Sequence, residues 1–317
     1  MDNDFCVDKQ KITIIGAGAV GTTIAYTLSL NEWLKKIVLV DINIAKIKGE
    51  TLDIRHGVLA LPNTNVDYGD YYDCKDSDLI ILSAGRGRKP NESRIDLIND
   101  NIGIINNIID CLLPYYNNCP IMVVSNPVDI LTYVVCKRMN VFDGRVFGTG
   151  CILDSSRLTR IVADYIGVSS DYIEAYVIGE HGEGQVPLWS KTAIAGMPIE
   201  EFCGAEKIKW NNSIKQDIAN KLKNMGTEII KCKGSTFYGI AECVCQLSKA
   251  ILTNDAIIES VSSPLVYKGE KYQMALSLPS LIGFKGVARQ LDVQLDEVEE
   301  REFRKTIEKI DDIMSGL

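Results

Sequence analysis

Histidine is scarce in this chain: His56 and His181 are the only two in 317 residues. Proton transfer near neutral pH therefore has two candidate imidazoles, and their surroundings must decide between them. Long apolar runs are missing too. No segment reaches the ~20 apolar residues that a bilayer-spanning helix needs. The ten cysteines are scattered and include no Cys-x-x-Cys pair. The opening Met1-Asp2-Asn3-Asp4 lacks the basic and apolar regions of a signal peptide. Together these features predict reduced, mostly buried thiols, a cytoplasmic location and no zinc or other metal site. Clusters of Lys and Arg are absent as well: 34 basic residues against 42 acidic ones give a net charge of −8. That balance argues against nucleic acid and anionic membrane as partners and points to a small substrate. Repeats and low-complexity tracts are not found.

What is present is ordinary in bulk. Hydrophobic residues make up 46% and charged ones 24%, and a chain of this length has room for two domains. The β-branched run Lys11-Ile12-Thr13-Ile14-Ile15 ends at Gly16-Ala17-Gly18-Ala19-Val20-Gly21 and passes into a helix-compatible stretch, Thr22 to Leu30. A Gly-x-Gly-x-x-Gly turn between strand and helix lets backbone N–H groups approach a pyrophosphate at a helix N-terminus. Alone it is a weak signal that a tightly packed turn also produces. A second run, Lys36 to Val40, ends in Asp41, twenty residues after the third glycine. A carboxylate there accepts hydrogen bonds from a ribose diol and repels a 2′-phosphate, so NAD is expected rather than NADP. Gly16, Gly18, Val20, Gly21 and Asp41 are the cofactor-binding candidates from this part of the chain.

Further strands are predicted at Asp78 to Leu82, Ile121 to Val124 and Arg145 to Thr149, with helices at Ile44 to Val58 and Ile130 to Met139. This alternation defines an α/β fold: a doubly wound parallel Rossmann sheet with its ligand at the strand C-termini. Arg86 to Arg94 carries three arginines and one lysine on a Gly/Pro loop at that edge, the expected place for a mobile lid over an anionic substrate. Asn126, in Ser125-Asn126-Pro127, either donates to bound ligands or shapes the turn. His56 ends a predicted helix without a nucleophile or carboxylate motif near it and reads as a helix-end residue. His181 lies in Gly179-Glu180-His181-Gly182, a glycine-dense turn after the apolar run Tyr172 to Ile178.

The second half is read as a mixed α+β domain, with the boundary near residue 150: a cofactor domain at 1–150 and a substrate domain at 151–317. Helices are predicted for Ile208 to Lys231, for the stretch from Gly234 to Leu252 and for Gln294 to Ile310. Ala256 to Val261 and Tyr272 to Leu278 predict a small antiparallel sheet.

With Cys151-Ile152-Leu153-Asp154-Ser155-Ser156-Arg157 and Gly179-Glu180-His181-Gly182 added to the glycine turn, nearly the whole chain resembles the lactate/malate dehydrogenase family. The resemblance implies that His181 exchanges the substrate proton, that Asp154 orients and charges its imidazole, and that Arg157 clamps the substrate carboxylate. Arg94 would polarise the carbonyl as the lid closes. It further implies that Tyr71, Gly85 and Thr149 join Asn126 around the cofactor, and that Arg88, Asn126 and Thr236 contact the substrate. Homo-oligomers, tetramers or dimers, are usual in the family. The chemistry is sound on its own terms, because reduction of a 2-oxo acid needs a hydride on one side and a proton on the other.

Arg88 bears on which acid is used. By the resemblance, malate enzymes carry Arg in a run like Arg88-Lys89-Pro90, whereas lactate enzymes usually carry Gln. The segments Asn91 to Arg94, Gly182 to Ser190 and Gly234 to Ala241 instead resemble bacterial lactate dehydrogenases. Lactate is ranked first and malate second, with a non-catalytic NAD-binding protein and a different Rossmann enzyme behind them. Asn91 stands where the lid usually has glycine. Glu174 and Thr159 stand where relatives activated by fructose 1,6-bisphosphate have His and Arg, so no such activation is expected.

Overall fold

The computed structural model describes residues 10–57, 64–87 and 92–317. Six parallel strands form one half of the main sheet: β1 (Lys11–Ile15), β2 (Lys36–Val40), β3 (Asn65–Gly69), β4 (Leu79–Leu82), β5 (Ile121–Val123) and β6 (Val146–Gly148). Their order in space is β3-β2-β1-β4-β5-β6. The chain starts at the middle of this half and winds outward in both directions, the doubly wound pattern expected from the alternation. The helices between them are α1 (Ala19–Ser29), α2 (Ile44–Gly57), α3 (Arg94–Leu112) and α4 (Val128–Met139).

Period-two alternation explains the two cores. Ile12, Ile14, Ile37, Leu39, Leu79, Ile81 and Met122 face a layer that includes Ile24 and Leu28 of α1. Their neighbours Ile15, Val38, Val40, Ile80, Leu82, Ile121 and Val123 face Ile105, Ile109, Leu131 and Val135 of α3 and α4. Strands covered on both faces read as continuous apolar runs, and each fully buried aliphatic side chain contributes roughly 1.5–3 kcal/mol. Strand β3 escapes that signature. As an edge strand it buries only Val66 of Asn65–Gly69, which is why its sequence does not stand out.

The second half continues with α5 (Ile152–Ile166), β7 (Ile173–Glu174), β8 (Val177–Gly179), β9 (Gln185–Pro187), β10 (Ala193–Ile194), β11 (Met197–Pro198), α6 (Ile199–Ala205), α7 (Asn212–Lys233) and α8 (Tyr238–Thr253). It closes with β12 (Ile257–Tyr267), β13 (Glu270–Gly283), β14 (Gly286–Gln290) and α9 (Glu297–Ser315). Two expectations need correction. The strands predicted at Ala256 to Val261 and Tyr272 to Leu278 are longer and do not form a separate sheet. Ser262 of β12 pairs with Gly148 of β6, so the antiparallel strands extend the parallel sheet. Pro264 and the serines at 260, 262, 263, 277 and 280 disguise the run, yet all five serines are buried. The apolar run Tyr172 to Ile178 likewise divides between two sheets: β7 joins the three-stranded β11-β10-β7, and β8 lies between β13 and β9.

Helix α9 is fastened at its first turn. Asp296 and Glu299 form a reciprocal capping box, and the buried Glu299 carboxylate also accepts from Ser190 N at 2.8 Å and Ser190 Oγ at 2.7 Å. A carboxylate taken out of water needs such donors. Glu299→Ala is expected to destabilise the protein by about 2–3 kcal/mol, since it strands the Ser190 donors. Urea unfolding of the two proteins measures this, and an unchanged midpoint would show that α9 is held by its apolar face alone.

Candidate active site

The glycines of the first turn serve separate ends. Gly16 has φ +106°, and a Cβ there would collide with the backbone of Ala84. At Gly21 a Cβ would collide with the Gly16 carbonyl. Gly18 is different, because nothing lies within 4 Å of where its Cβ would be. Two glycines thus close the turn against β4, and the third leaves the N-terminus of α1 open to a ligand. Val20, in the first turn of α1, lines the cleft described below.

Asp41 stands at the carboxyl end of β2 and turns back to this loop. Its Oδ2 accepts from Ala17 N at 2.7 Å and its Oδ1 from Asn43 N at 2.9 Å. A carboxylate has about four acceptor positions, so capacity remains for a ribose diol. Tyr71 begins the 3-10 turn Tyr71–Asp76. Burial, with smaller contributions that include the Asp41 charge, pushes its pKa up to about 12. Gly85 follows β4 and faces the side chain of Asn101, whose amide donates to the Asn126 carbonyl at 2.7 Å. Asn126 precedes a cis peptide to Pro127. Its Oδ1 accepts from Val128 N at 3.2 Å, and its side chain lines the cleft. The open Gly18 face, Asp41 and these strand ends lie where a dinucleotide fits.

The cleft has a volume of ≈ 270 Å³ and brings together Val20, Asn126, Thr149, Asp154, Arg157, His181 and Thr236. Residues from both halves of the chain thus share one cavity. Asp154 is in the first turn of α5, and Arg157 follows one turn later on the same face. Asp154 Oδ2 meets His181 Nδ1 at 2.6 Å, and Asp154 Oδ1 lies 3.4 Å from Arg157 Nη1. The carboxylate is buried and does not cap its helix, and the Arg157 side chain is only 12% exposed. Burial acts against charge on both partners. Against it, His181 and Arg157 hold Asp154 below the usual carboxyl range, and Asp154 raises His181 above the ordinary imidazole pKa. With Nδ1 engaged, Nε2 is the ring nitrogen left for a substrate.

Other expected residues are placed differently. Arg94, the first residue of α3, does not line the cleft. Its guanidinium is ion-paired with the buried Glu180 and lies 4.0 Å from Glu183, so it sits beside the histidine turn without facing into the cavity. Arg86 is committed to Glu92 and Asp100, which removes it from the expected set of lid cations. Arg88 and Asn91 lie outside the described residues. His56 is exposed at the end of α2. Of the nine described cysteines, Cys111 and Cys232 are exposed and the others buried. Among the described residues no His, Cys, Asp or Glu cluster is arranged to hold a metal ion, and no helix is long and apolar enough to cross a membrane.

Sequence reasoning overlooked two groups. Leu222, Lys223, Gly226, Thr227 and Ile230 of α7 form one wall of the cleft. Their spacing of three and four residues marks one helical face, but polar residues in it hide the pattern. Asp129 was also missed: its Oδ2 accepts from the main-chain N–H of His181 at 2.8 Å. It stands three residues after Asn126, within the same motif, and only the folded chain brings it to the histidine.

A dinucleotide turn and a carboxylate-backed histidine opening onto one cleft define a nicotinamide-dependent dehydrogenase of small polar molecules. Residues 10–148 match the family description "lactate/malate dehydrogenase, NAD binding domain" and residues 151–316 the "lactate/malate dehydrogenase, alpha/beta C-terminal domain". The chain belongs to the lactate/malate dehydrogenase family. It is 37% identical to an L-lactate dehydrogenase of Acetivibrio thermocellus over 97% of both chains. It is 38% identical to that of Thermoanaerobacterium saccharolyticum over 97% of this chain and 99% of the other. Among solved structures, the minor L-lactate dehydrogenase of Enterococcus mundtii superimposes with a TM-score of 0.93 at 32% identity, covering 98% of both chains. A lactate dehydrogenase from a deep-sea metagenome library gives a TM-score of 0.92 at 30% identity, over 97% of this chain and 98% of that one.

The glycine turn allows a separation of stability from binding. Gly18→Ala is expected to leave stability within about 0.5 kcal/mol and to weaken NADH binding about tenfold or more. Gly16→Ala, strained at positive φ and obstructed by Ala84, is expected to cost more than about 2 kcal/mol in folding. Thermal unfolding and NADH fluorescence titration distinguish the two. Equal losses in both variants would contradict the assignment of the open face.

Proposed function

We propose that the protein is an NAD-dependent L-2-hydroxy-acid dehydrogenase that interconverts pyruvate and L-lactate. The observation that carries this reading is the 2.6 Å contact between His181 Nδ1 and the buried Asp154, at the wall of the cleft that also holds Arg157. NAD, when bound along the glycine turn with Asp41, Tyr71, Gly85, Asn126 and Thr149 around it, supplies or accepts the hydride. The protein's own residues handle the rest. Arg157 pairs with the substrate carboxylate through its planar fork, a geometry that Lys does not match. That pairing sets the carbonyl oxygen toward His181 Nε2, which donates its proton to the developing alkoxide. Asp154 holds the imidazole in the required tautomer and stabilises its charged form. Asn126 and Thr236 line the substrate's surroundings. Arg94 exchanges Glu180 for the substrate oxygen, adding preorganised charge worth roughly 3–4 kcal/mol.

Several finer points belong to this reading. The enzyme works in the cytoplasm as a homo-oligomer, a dimer or tetramer. Its two units divide near residue 150. Fructose 1,6-bisphosphate does not activate it, because the exposed Glu174 and the neutral Thr159 offer a phosphate no cation.

His181→Asn is expected to lower kcat by about a thousandfold while retaining NADH binding. Loss of both together would point to a structural role for His181. In the native enzyme the sign of the pH response follows from the raised pKa. Pyruvate reduction needs the protonated ring and falls as pH rises through a value above the ordinary imidazole pKa, whereas lactate oxidation rises through the same value. Arg88 supports oxaloacetate as a secondary substrate, by a charge-assisted bond of about 1.5–3 kcal/mol, or roughly 10- to 150-fold. The kcat/KM ratio of pyruvate over oxaloacetate is therefore expected to lie below about a thousand and to increase in Arg88→Gln. A higher ratio in the native enzyme would remove Arg88 from substrate selection.

A further inference from the structure

His181 is held at two places by two different helices. Its ring is fixed by Asp154 of α5, and its main-chain N–H donates to Asp129 Oδ2 of α4 at 2.8 Å. The second contact spans 52 residues of sequence and connects the parallel half of the sheet to the histidine turn. That turn needs such a contact, since Gly179 has φ +94° and Gly182 φ +127°, and two flanking glycines leave the backbone little conformational preference of its own. Asp129 is only 2% exposed. It is in the first turn of α4, where a helix N-terminus favours a negative charge. Asn126, on the turn leading into that helix, faces the same cleft as His181.

We propose that Asp129 is a positioning residue for proton transfer, which holds His181 in register with the Asn126 turn and keeps a second negative charge beside the imidazole. This inference rests on the reading of His181 as the proton donor. A carboxylate buried this deeply, with Oδ2 accepting from a peptide N–H and Oδ1 without a hydrogen-bond partner among the described residues, is expensive to maintain for packing alone, because an apolar residue would fill the same space without the desolvation cost. Burial pushes the Asp129 pKa up to about 6, with the hydrogen bond from the His181 N–H acting in the opposite direction. At neutral pH the group is therefore mostly charged, and its charge favours the imidazolium.

The charges around His181 come from every neighbouring element. Asp154 and Arg157 face it from α5, and the Cys151 thiol before α5, raised by burial, stays neutral. Glu180 and Glu183 flank it, neutralised by Arg94 of α3 and Lys309 of α9. Lys223 of α7 shares the cleft. Removing the Asp129 charge leaves Arg157 and Lys223 less opposed, so the His181 pKa must fall.

Two variants in the full-length enzyme test this. Asp129→Asn preserves shape and an acceptor for His181 N but removes the charge. It is expected to move the pH midpoints of pyruvate reduction and of lactate oxidation to lower pH by the same amount. Asp129→Ala is expected to lower kcat by roughly 10- to 100-fold with NADH affinity changed less than about threefold. If Asp129→Asn leaves both midpoints in place, or if both variants lose activity only in proportion to lost folded protein or lost NADH binding, the proposal is overturned. A native enzyme that does not oxidise NADH with pyruvate or oxaloacetate overturns instead the functional reading beneath it.

Discussion

A single close approach sets the geometry of the whole molecule. Gly148, the last residue of the last parallel strand, pairs with Ser262 of the long antiparallel hairpin. Any Cβ at Gly148 would collide with Thr132 and press on Ser262. Through that contact the two kinds of sheet become one. The carboxyl ends of the parallel strands, where a dinucleotide binds, then adjoin the start of α5, which carries Asp154 and Arg157. The loop Thr149-Gly150-Cys151 is too short to allow another arrangement. Cys151 N also donates to Ser277 Oγ at 3.0 Å, which ties the N-terminus of α5 to the hairpin.

The site built on that junction is an exercise in balancing buried charge. Asp154 is offset by His181 and Arg157, and Glu180 by Arg94 and Lys309, while Asp129 relies on the His181 N–H and a helix N-terminus. A buried ion pair adds little net stability, but removing one member leaves an uncompensated charge that costs several kcal/mol. The arrangement gives the two arginines different characters. Arg157 is enclosed beside Asp154, whereas Arg94 is one-third exposed and rests on the buried Glu180 carboxylate.

How much could be read beforehand varied with the kind of signal. The parallel half was legible because strands buried on both faces are written as unbroken apolar runs, and Gly16 to Gly21 with Asp41 added a spaced chemical pattern. Strand β3 was not, because an edge strand buries one side chain in five positions. The hairpin was underestimated because buried serines at 260, 263, 277 and 280 find hydrogen-bond partners for their hydroxyls in the fold, as Ser260 Oγ does on the Val177 carbonyl, and a sequence shows the hydroxyl but not its partner.

Local order along the chain was enough to establish the glycine turn, the Rossmann alternation, the single well-placed histidine and, through the family resemblance, the roles expected of Asp154 and Arg157. These depend on residue type and on spacings of a few positions, which the backbone converts directly into strands, turns and helix faces. Tertiary structure alone decided that Asp129 also reaches His181, that Arg94 rests on Glu180, that Arg86 is occupied by Glu92 and Asp100, and that α7 walls the cleft. Apart from the Arg86 pairs, which span six and fourteen positions, those relations join residues tens to more than a hundred positions apart, and only the folding of the chain brings them together.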